Sequence, residues 1–446
     1  MAGGFHNKNL FPLLSEEGHR LLQWLHEHKY APHYTHPGCD RLTAEGLEKV
    51  RAFEAELDSP QQSRRNGEMP DWLKEHVETC YRDVPFYRRS GSAPSNFTSI
   101  PTTNRRDLSR EPWAFVPDSQ PLNDLVIYQT SGTTGHPLDV LTHPTPLAMY
   151  LPLLRTALAM HGVKLEGHCG RVSIILVCFQ KSTYTYASIS PVLNQAGLVK
   201  INLNPADWRD ISHMAKFLDA CDPEIYTGDP ISFAELSRLP LQTRPKAIVS
   251  TAMTLLPGRR HRLEQHFGCP VIDIYSMNET GPIAVWLREA HVVLQKRLYI
   301  EVLDRDGFSC PSGVHGEVTV TGGFNPFLPL LKYRTGDWAR LAFHGTQVLL
   351  EGLEGRPPVI FRGRRGQPIN NIDVSTVLKP LLLVQYSLHQ NRDDSLHLRV
   401  HGRIQDQNRL RDIIISLFGE GQRLFVEEVD SLPAAGKILQ YSRDDE

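Results

Sequence analysis

Four stretches of the chain carry residue types whose spacing suits chemistry on a phosphate ester. The first, Tyr128 to Pro137, reads YQTSGTTGHP and sets Thr130, Ser131, Gly132, Thr133, Thr134 and Gly135 in a row. Small hydroxyls and glycine-freed backbone N–H groups make a cradle of donors for an oxyanion, phosphate above all. It is not a Walker loop, because no lysine follows Gly135. The second, YSMNET, places Glu279 four residues after Tyr275. A carboxylate there can hold Mg²⁺, and the phenol ring can stack on a base. The third, YRTGDWARL, sets Asp337 after a glycine. A fixed carboxylate accepts two hydrogen bonds from a ribose diol. The fourth, LPAAGKILQYSRD, carries Lys437 on a glycine-flanked turn. Each also has an ordinary reading: a serine–threonine turn, a helix-terminal acid, a turn residue and a solvated charge.

The elements that must hold these residues follow from the hydrophobic pattern. Residues 1 to about 90 read as polar helices, with Ser15 and Thr43 as caps and a third helix opening at Pro70-Asp71. From about residue 124 short apolar runs alternate with helical segments. Leu125–Tyr128, Val172–Phe179, Leu198–Leu203, Ala247–Ser250 and Val271–Tyr275 read as strands, and Pro146–His161, Asp207–Ala220 and Pro257–Phe267 as helices. Such alternation predicts an α/β fold with mostly parallel sheets flanked by helices, which bind ligands at the carboxyl ends of their strands. After about residue 290 a small β-rich part follows, with hairpin turns at Asp306-Gly307 and His344-Gly345. The tail reads as a compact α+β unit with strand Leu396–Val400, helix Gln405–Leu417 and strand Leu424–Val429. The expected division is a large N-terminal domain over 1–354, whose residues 1–69 form a helical extension, and a small mobile domain over 355–446.

Composition narrows the class. The 446 residues are 40% apolar and 22% charged, with a formal net charge of -2. That balance argues against nucleic acid as a partner. No apolar run approaches the roughly 18 residues of a membrane span. Seven scattered cysteines without a CxxC pair point to reduced thiols and a cytoplasmic protein. His33, His36 and Cys39 recur every third residue, but Pro37 and Gly38 among them make a surface loop the expectation.

The order TSGTTGxP, YSMNE, YRTGD, GR and PAAGK resembles the acyl-adenylate-forming (ANL) superfamily. CYRDVPFYRR (80–89), EGRPPVIFRGRRGQPIN and VQYSLHQ resemble its phenylacetate-CoA ligase and CapK-like branch. The resemblance implies ATP-dependent activation of a carboxylic acid, transfer to coenzyme A, and ATP, Mg²⁺ and CoA as cofactors. Thr130, Ser131, Thr133 and Thr134 would embrace the phosphates and Glu279 would hold the metal. Tyr275, with Ser250, Thr251 and Ala252, would frame the adenine, and Ser276 and Asn278 replace the usual Gly and Thr beside it. Asp337 would clasp the ribose, Arg356 would sit at the hinge and Lys437 would reach in from the small domain. The acid pocket would be lined by Phe179, Tyr184, Tyr186 and Met253, with residues near Tyr226 to Asp229. Departures from the pattern include His136 and Leu138 at lysine positions, Thr251-Ala252-Met253 in place of GGE, Pro358 at the hinge, and a missing cysteine-rich metal site where only His291 follows. Alternative acceptors are a carrier protein or an amine, a further alternative is a catalytically degenerate ATP-binding protein, and the N-terminal helices could serve a homodimer or shield the core.

Overall fold

The computed structural model describes residues 8–59, 68–130, 138–179, 183–345, 347–355, 359–370, 374, 377–378, 381, 383, 385–429 and 441–444. Five parallel strands lie side by side in the order Val271–Met277, Ala247–Ser250, Ile225–Gly228, Val172–Cys178, Ala196–Asn202. They are nearly continuous runs of Val, Ile and Leu because both faces are covered. Ile174, Ile225, Val249 and Ile272 point to one core, and their neighbours Ile175, Tyr226, Ile248 and Val271 to the other, the period of two that a strand imposes. The helix Tyr150–Ala159 covers the first face with Leu153, Leu154, Ala157 and Leu158. Glu16–Glu27, His213–Cys221, Pro230–Leu236 and Pro257–Phe267 supply Leu22, Phe217, Phe233 and Leu263 to the second.

Tyr186–Ser190 closes one edge in antiparallel register. On the other side the same sheet runs on through Gly281–Leu287, Ala290–Val293, Gln347–Gly355, Leu330–His344, His315–Gly322 and Leu298–Leu303, all antiparallel. The short strand Thr103–Asn104 joins Leu330–His344 in parallel, giving 13 strands in all. The C-terminal residues form a separate four-stranded sheet, Leu424–Val429, Leu396–His401, Gln385–Gln390 and Tyr441–Arg443, with the helix Gln407–Phe418 and a core of its own around Phe361, Leu388 and Phe418. Leu256 packs against that core.

Several expectations are corrected. The strand before the hydroxyl-rich loop, Val126–Thr130, does not belong to the parallel sheet; among the described residues it pairs only with Leu138–Thr142, in antiparallel register. Apolar alternation cannot distinguish a strand of such a pair from a sheet strand, because both bury one face. The helix expected over 146–161 is two, Pro144–Ala148 and Tyr150–Ala159. The N-terminal helices shield the core: Leu21, Leu22 and Leu25 lie on the strand sheet, and Val50 and Phe53 lie on Tyr150–Ala159 and its neighbours. Both begin as expected, with Ser15 accepting from the Gly18 amide and Thr43 from the Gly46 amide. Among the described residues no helix is long and apolar enough to cross a membrane, and no group of histidine, cysteine and acid side chains is placed to hold a metal ion.

Candidate active site

Two buried carboxylates meet where the parallel and antiparallel halves of the sheet join. Asp337 is 5% exposed and Glu279 3% exposed. Asp337 lies on the long strand Leu330–His344, opposite Gly355 in the next strand, so the ribose candidate borders the expected hinge. The RTGD turn is held from below. Arg334 Nε donates to Glu317 Oε2 at 2.6 Å, the Gly336 amide to Glu317 Oε1 at 3.0 Å, and the Thr335 hydroxyl to the Val318 carbonyl at 2.9 Å. Gly336 has φ +77, the left-handed region that glycine enters freely. The Asp337 amide then donates to Thr335 Oγ1 at 3.1 Å, which aims the carboxylate.

Tyr275 donates its phenol proton to Asp337 Oδ2 at 2.7 Å. Burial first, and then the Asp337 charge, hold that phenol well above the ordinary tyrosine range, so Tyr275 stays a donor. The strand carrying it extends two residues beyond the expected end, to Met277. Ser276 is half-buried and Asn278 exposed. Glu279 follows in the turn and accepts from the Tyr333 phenol and from Arg105 Nη1, both at 3.1 Å and both on Oε1. Its Oε2 accepts from no described residue. Burial and the Glu279 carboxylate raise the Tyr333 phenol in turn.

Arg105 is the site residue that sequence reasoning missed. It opens the helix Arg105–Arg110, whose Asn104 and Asp107 form a reciprocal capping box. The parallel pairing of Thr103–Asn104 with Tyr333–Arg334 carries it to Glu279. The N-x-x-D spacing announces the helix start; nothing local announces the partner 174 positions away.

The other predicted residues fall as follows. Ser250 ends its strand fully buried, and its Oγ has no partner among the described residues. Thr251 and Met253 are half-buried, and Ala252 is exposed with φ +68. A non-glycine residue there is strained, and the resemblance expects glycine at this position. Tyr184 and Tyr186 stack, with ring centroids 6.0 Å apart. Phe179 and Tyr184 are exposed, not packed as core. Tyr226, by contrast, is fully buried in the core with its hydroxyl 3.3 Å from Thr243 Oγ1. Asp229 is committed to capping, accepting from the Ile231 and Ser232 amides and the Ser232 hydroxyl. Ser131, Gly132, Thr133, Thr134, Gly135, Arg356, Pro358 and Lys437, and the side chain of Thr130, lie outside the described residues.

No protein-family model matches the chain. Among curated proteins, it is 22% identical over 401 residues to Protein CapK of Staphylococcus aureus, covering 84% of this chain and 86% of CapK. It is 23% identical over 407 residues to the phenylacetate-coenzyme A ligase of Escherichia coli K12, covering 81% of this chain and 90% of that one. Among solved structures, 2-hydroxyisobutyryl-CoA ligase in the postadenylation state in complex with 2-HIB-AMP superposes with a TM-score of 0.61 at 17% identity, over 92% of this chain and 91% of that one. An anthranilate CoA ligase in complex with anthranoyl-AMP gives 0.50 at 14% identity, over 70% and 64%.

Proposed function

We propose that this chain, a homologue of CapK and the phenylacetate-CoA ligases with the fold of acyl-adenylate-forming ligases, activates a carboxylic acid with ATP and passes the acyl group to coenzyme A. The observation that carries the reading is the two buried carboxylates, Asp337 on Tyr275 and Glu279 on Tyr333 and Arg105. Both acids stay available to a ligand: a ribose diol can donate to the Asp337 carboxylate, and a metal ion bound to phosphates would find an oxygen of Glu279 to which no described residue donates.

In the first half-reaction a carboxylate oxygen of the acid attacks the α-phosphorus, the new P–O bond forms, and pyrophosphate leaves. In the second, a thiol sulfur attacks the acyl carbonyl and AMP leaves. Tyr275 orients Asp337 toward the ribose hydroxyls. Magnesium fits the donor set, because a hard cation takes carboxylate and phosphate oxygens and no described residue donates to Glu279 Oε2. A magnesium ion held by Glu279 would supply positive charge to offset that of the phosphate oxygens. Arg105, held by Glu279, adds a fixed cation at the same place. The hydroxyl-rich loop follows the strand Val126–Thr130 and is assigned to the β- and γ-phosphates. Gly355 begins the hinge into a small lid spanning 355–446, from which Lys437 reaches the reacting phosphate. The seven free cysteines agree with a cytoplasmic setting.

ATP–pyrophosphate exchange against pooled aryl, arylalkyl, fatty and amino acids, without CoA, tests the reading. Exchange with one pool, and turnover that then requires CoA, is expected. Silence across the pools with intact ATP binding overturns it.

A further inference from the structure

A lysine sits where the acid pocket is expected, and among the described residues no carboxylate balances its charge. Lys200 belongs to the strand Ala196–Asn202, paired with Tyr186 on one side and Leu176 on the other. It is 7% exposed. Its ammonium lies 3.5 Å from the centre of the Tyr184 ring. Among the described residues no carboxylate pairs with it. Asp229 accepts from the Ile231 and Ser232 amides and the Ser232 hydroxyl and forms no ion pair with Lys200. The neighbouring Cys178 thiol is pushed up to about 11 by burial, so it carries no charge at neutral pH. An aromatic face offsets part of the desolvation of a buried cation but leaves its charge unneutralised. Burial accordingly lowers the lysine's own proton affinity, and an anion brought beside it restores that affinity.

Position decides which anion. Lys200 is four strands away from the strand that carries Tyr275, about 19 Å of sheet width at ~4.8 Å per strand. That separation sets it remote from the ribose and magnesium candidates, on the side where the resemblance puts the acid pocket. The exposed Phe179 and the stacked Tyr184 and Tyr186 lie on the same edge of the sheet, offering flat surfaces beside the charge.

We infer that Lys200 selects acids carrying a second anionic group distal to the carboxylate that is activated. The inference rests on the acid-activating reading above and deepens it by naming the class of acid.

The test compares terephthalate with 4-methylbenzoate, and adipate with hexanoate, by calorimetry without ATP. Each pair differs in the distal charge. The protein is expected to bind the dianion at least tenfold more tightly than its partner. In Lys200→Met that ratio falls to about one, and in Lys200→Arg most of it survives. Equal affinities in the unaltered protein, or a ratio undiminished in Lys200→Met, overturns the inference. So does loss of ATP affinity in Lys200→Met with the dianion ratio intact, which assigns the lysine to the nucleotide. Pyrophosphate exchange with the same acids separates the two readings: a dianion preference in binding without exchange upholds Lys200 and faults acid activation.

Discussion

The two ends of the parallel strands treat their acids in opposite ways. At the amino ends, Glu224 precedes Ile225–Gly228 and is saturated. Lys246 Nζ and the Glu166 amide donate to Oε2 at 2.7 and 3.0 Å, and the Gly167 amide and Ser173 hydroxyl to Oε1 at 2.9 and 2.8 Å. Burial alone would raise its pKa, yet Lys246, the two amides and Ser173 together bring it down to about 2. Toward the carboxyl ends, Glu279 is more deeply buried but takes both its donors on one oxygen, and Asp337 receives a phenol that could equally be given to a ligand. A carboxylate whose lone pairs are filled by its own chain contributes stability. Glu279, buried with its second oxygen bonded by no described residue, has that stability withheld for a ligand, which is why such groups cluster where ligands bind.

This contrast breaks most sharply at Glu279. Glu279→Gln is expected to lower the rate of pyrophosphate exchange by about 10²–10³, with a melting temperature close to that of the unaltered protein. A fall in melting temperature as large as that of Glu224→Gln would erase the distinction between the two ends. Asp337→Ala should weaken ATP binding by about 1.5–3 kcal/mol, the worth of hydrogen bonds to a charged acceptor; unchanged affinity by calorimetry removes Asp337 from the ribose role.

At the other end, Glu224→Gln should cost about 1.5–2 kcal/mol of stability after allowance for partial solvent screening, with exchange kinetics unaltered. The pH dependence has a definite sign. The folded-state pKa of Glu224 is depressed from 4.5 to about 2, so its contribution is complete above about pH 4.5 and is lost as pH falls toward 2. Urea titrations across that window should show a shallower acid limb in the variant. The smallest effect concerns Ala252, whose left-handed φ of +68 strains a residue bearing a Cβ. Ala252→Gly should gain up to about 1 kcal/mol, and a loss of stability would mean that the methyl group packs usefully.

Much of the molecule was legible from pattern. Ala247–Ser250, Pro257–Phe267 and Leu424–Val429 appear at the expected bounds, and the Ser15 and Thr43 caps bond as expected. These depend on interactions within a few residues, which local sequence encodes. The misplaced elements depend on remote partners. Val126–Thr130 has the pattern of a sheet strand, but its partner is Leu138–Thr142, packed against Phe115 and Tyr333. Tyr226 looked like a pocket residue, yet the alternation of its strand turns it into the core beside Phe267.

The sequence by itself therefore determined the α/β character, the helix starts and the identities of Glu279, Tyr275 and Asp337 as candidates, because residue type and short spacing carry that information. Only the tertiary structure decided that Tyr275 gives its proton to Asp337, that Arg105 reaches Glu279 across the Thr103–Asn104 pairing, and that Lys200 is buried without a counterion among the described residues. Each of those is set by strand order and register, which bring together residues separated by tens to hundreds of positions and which no local pattern records.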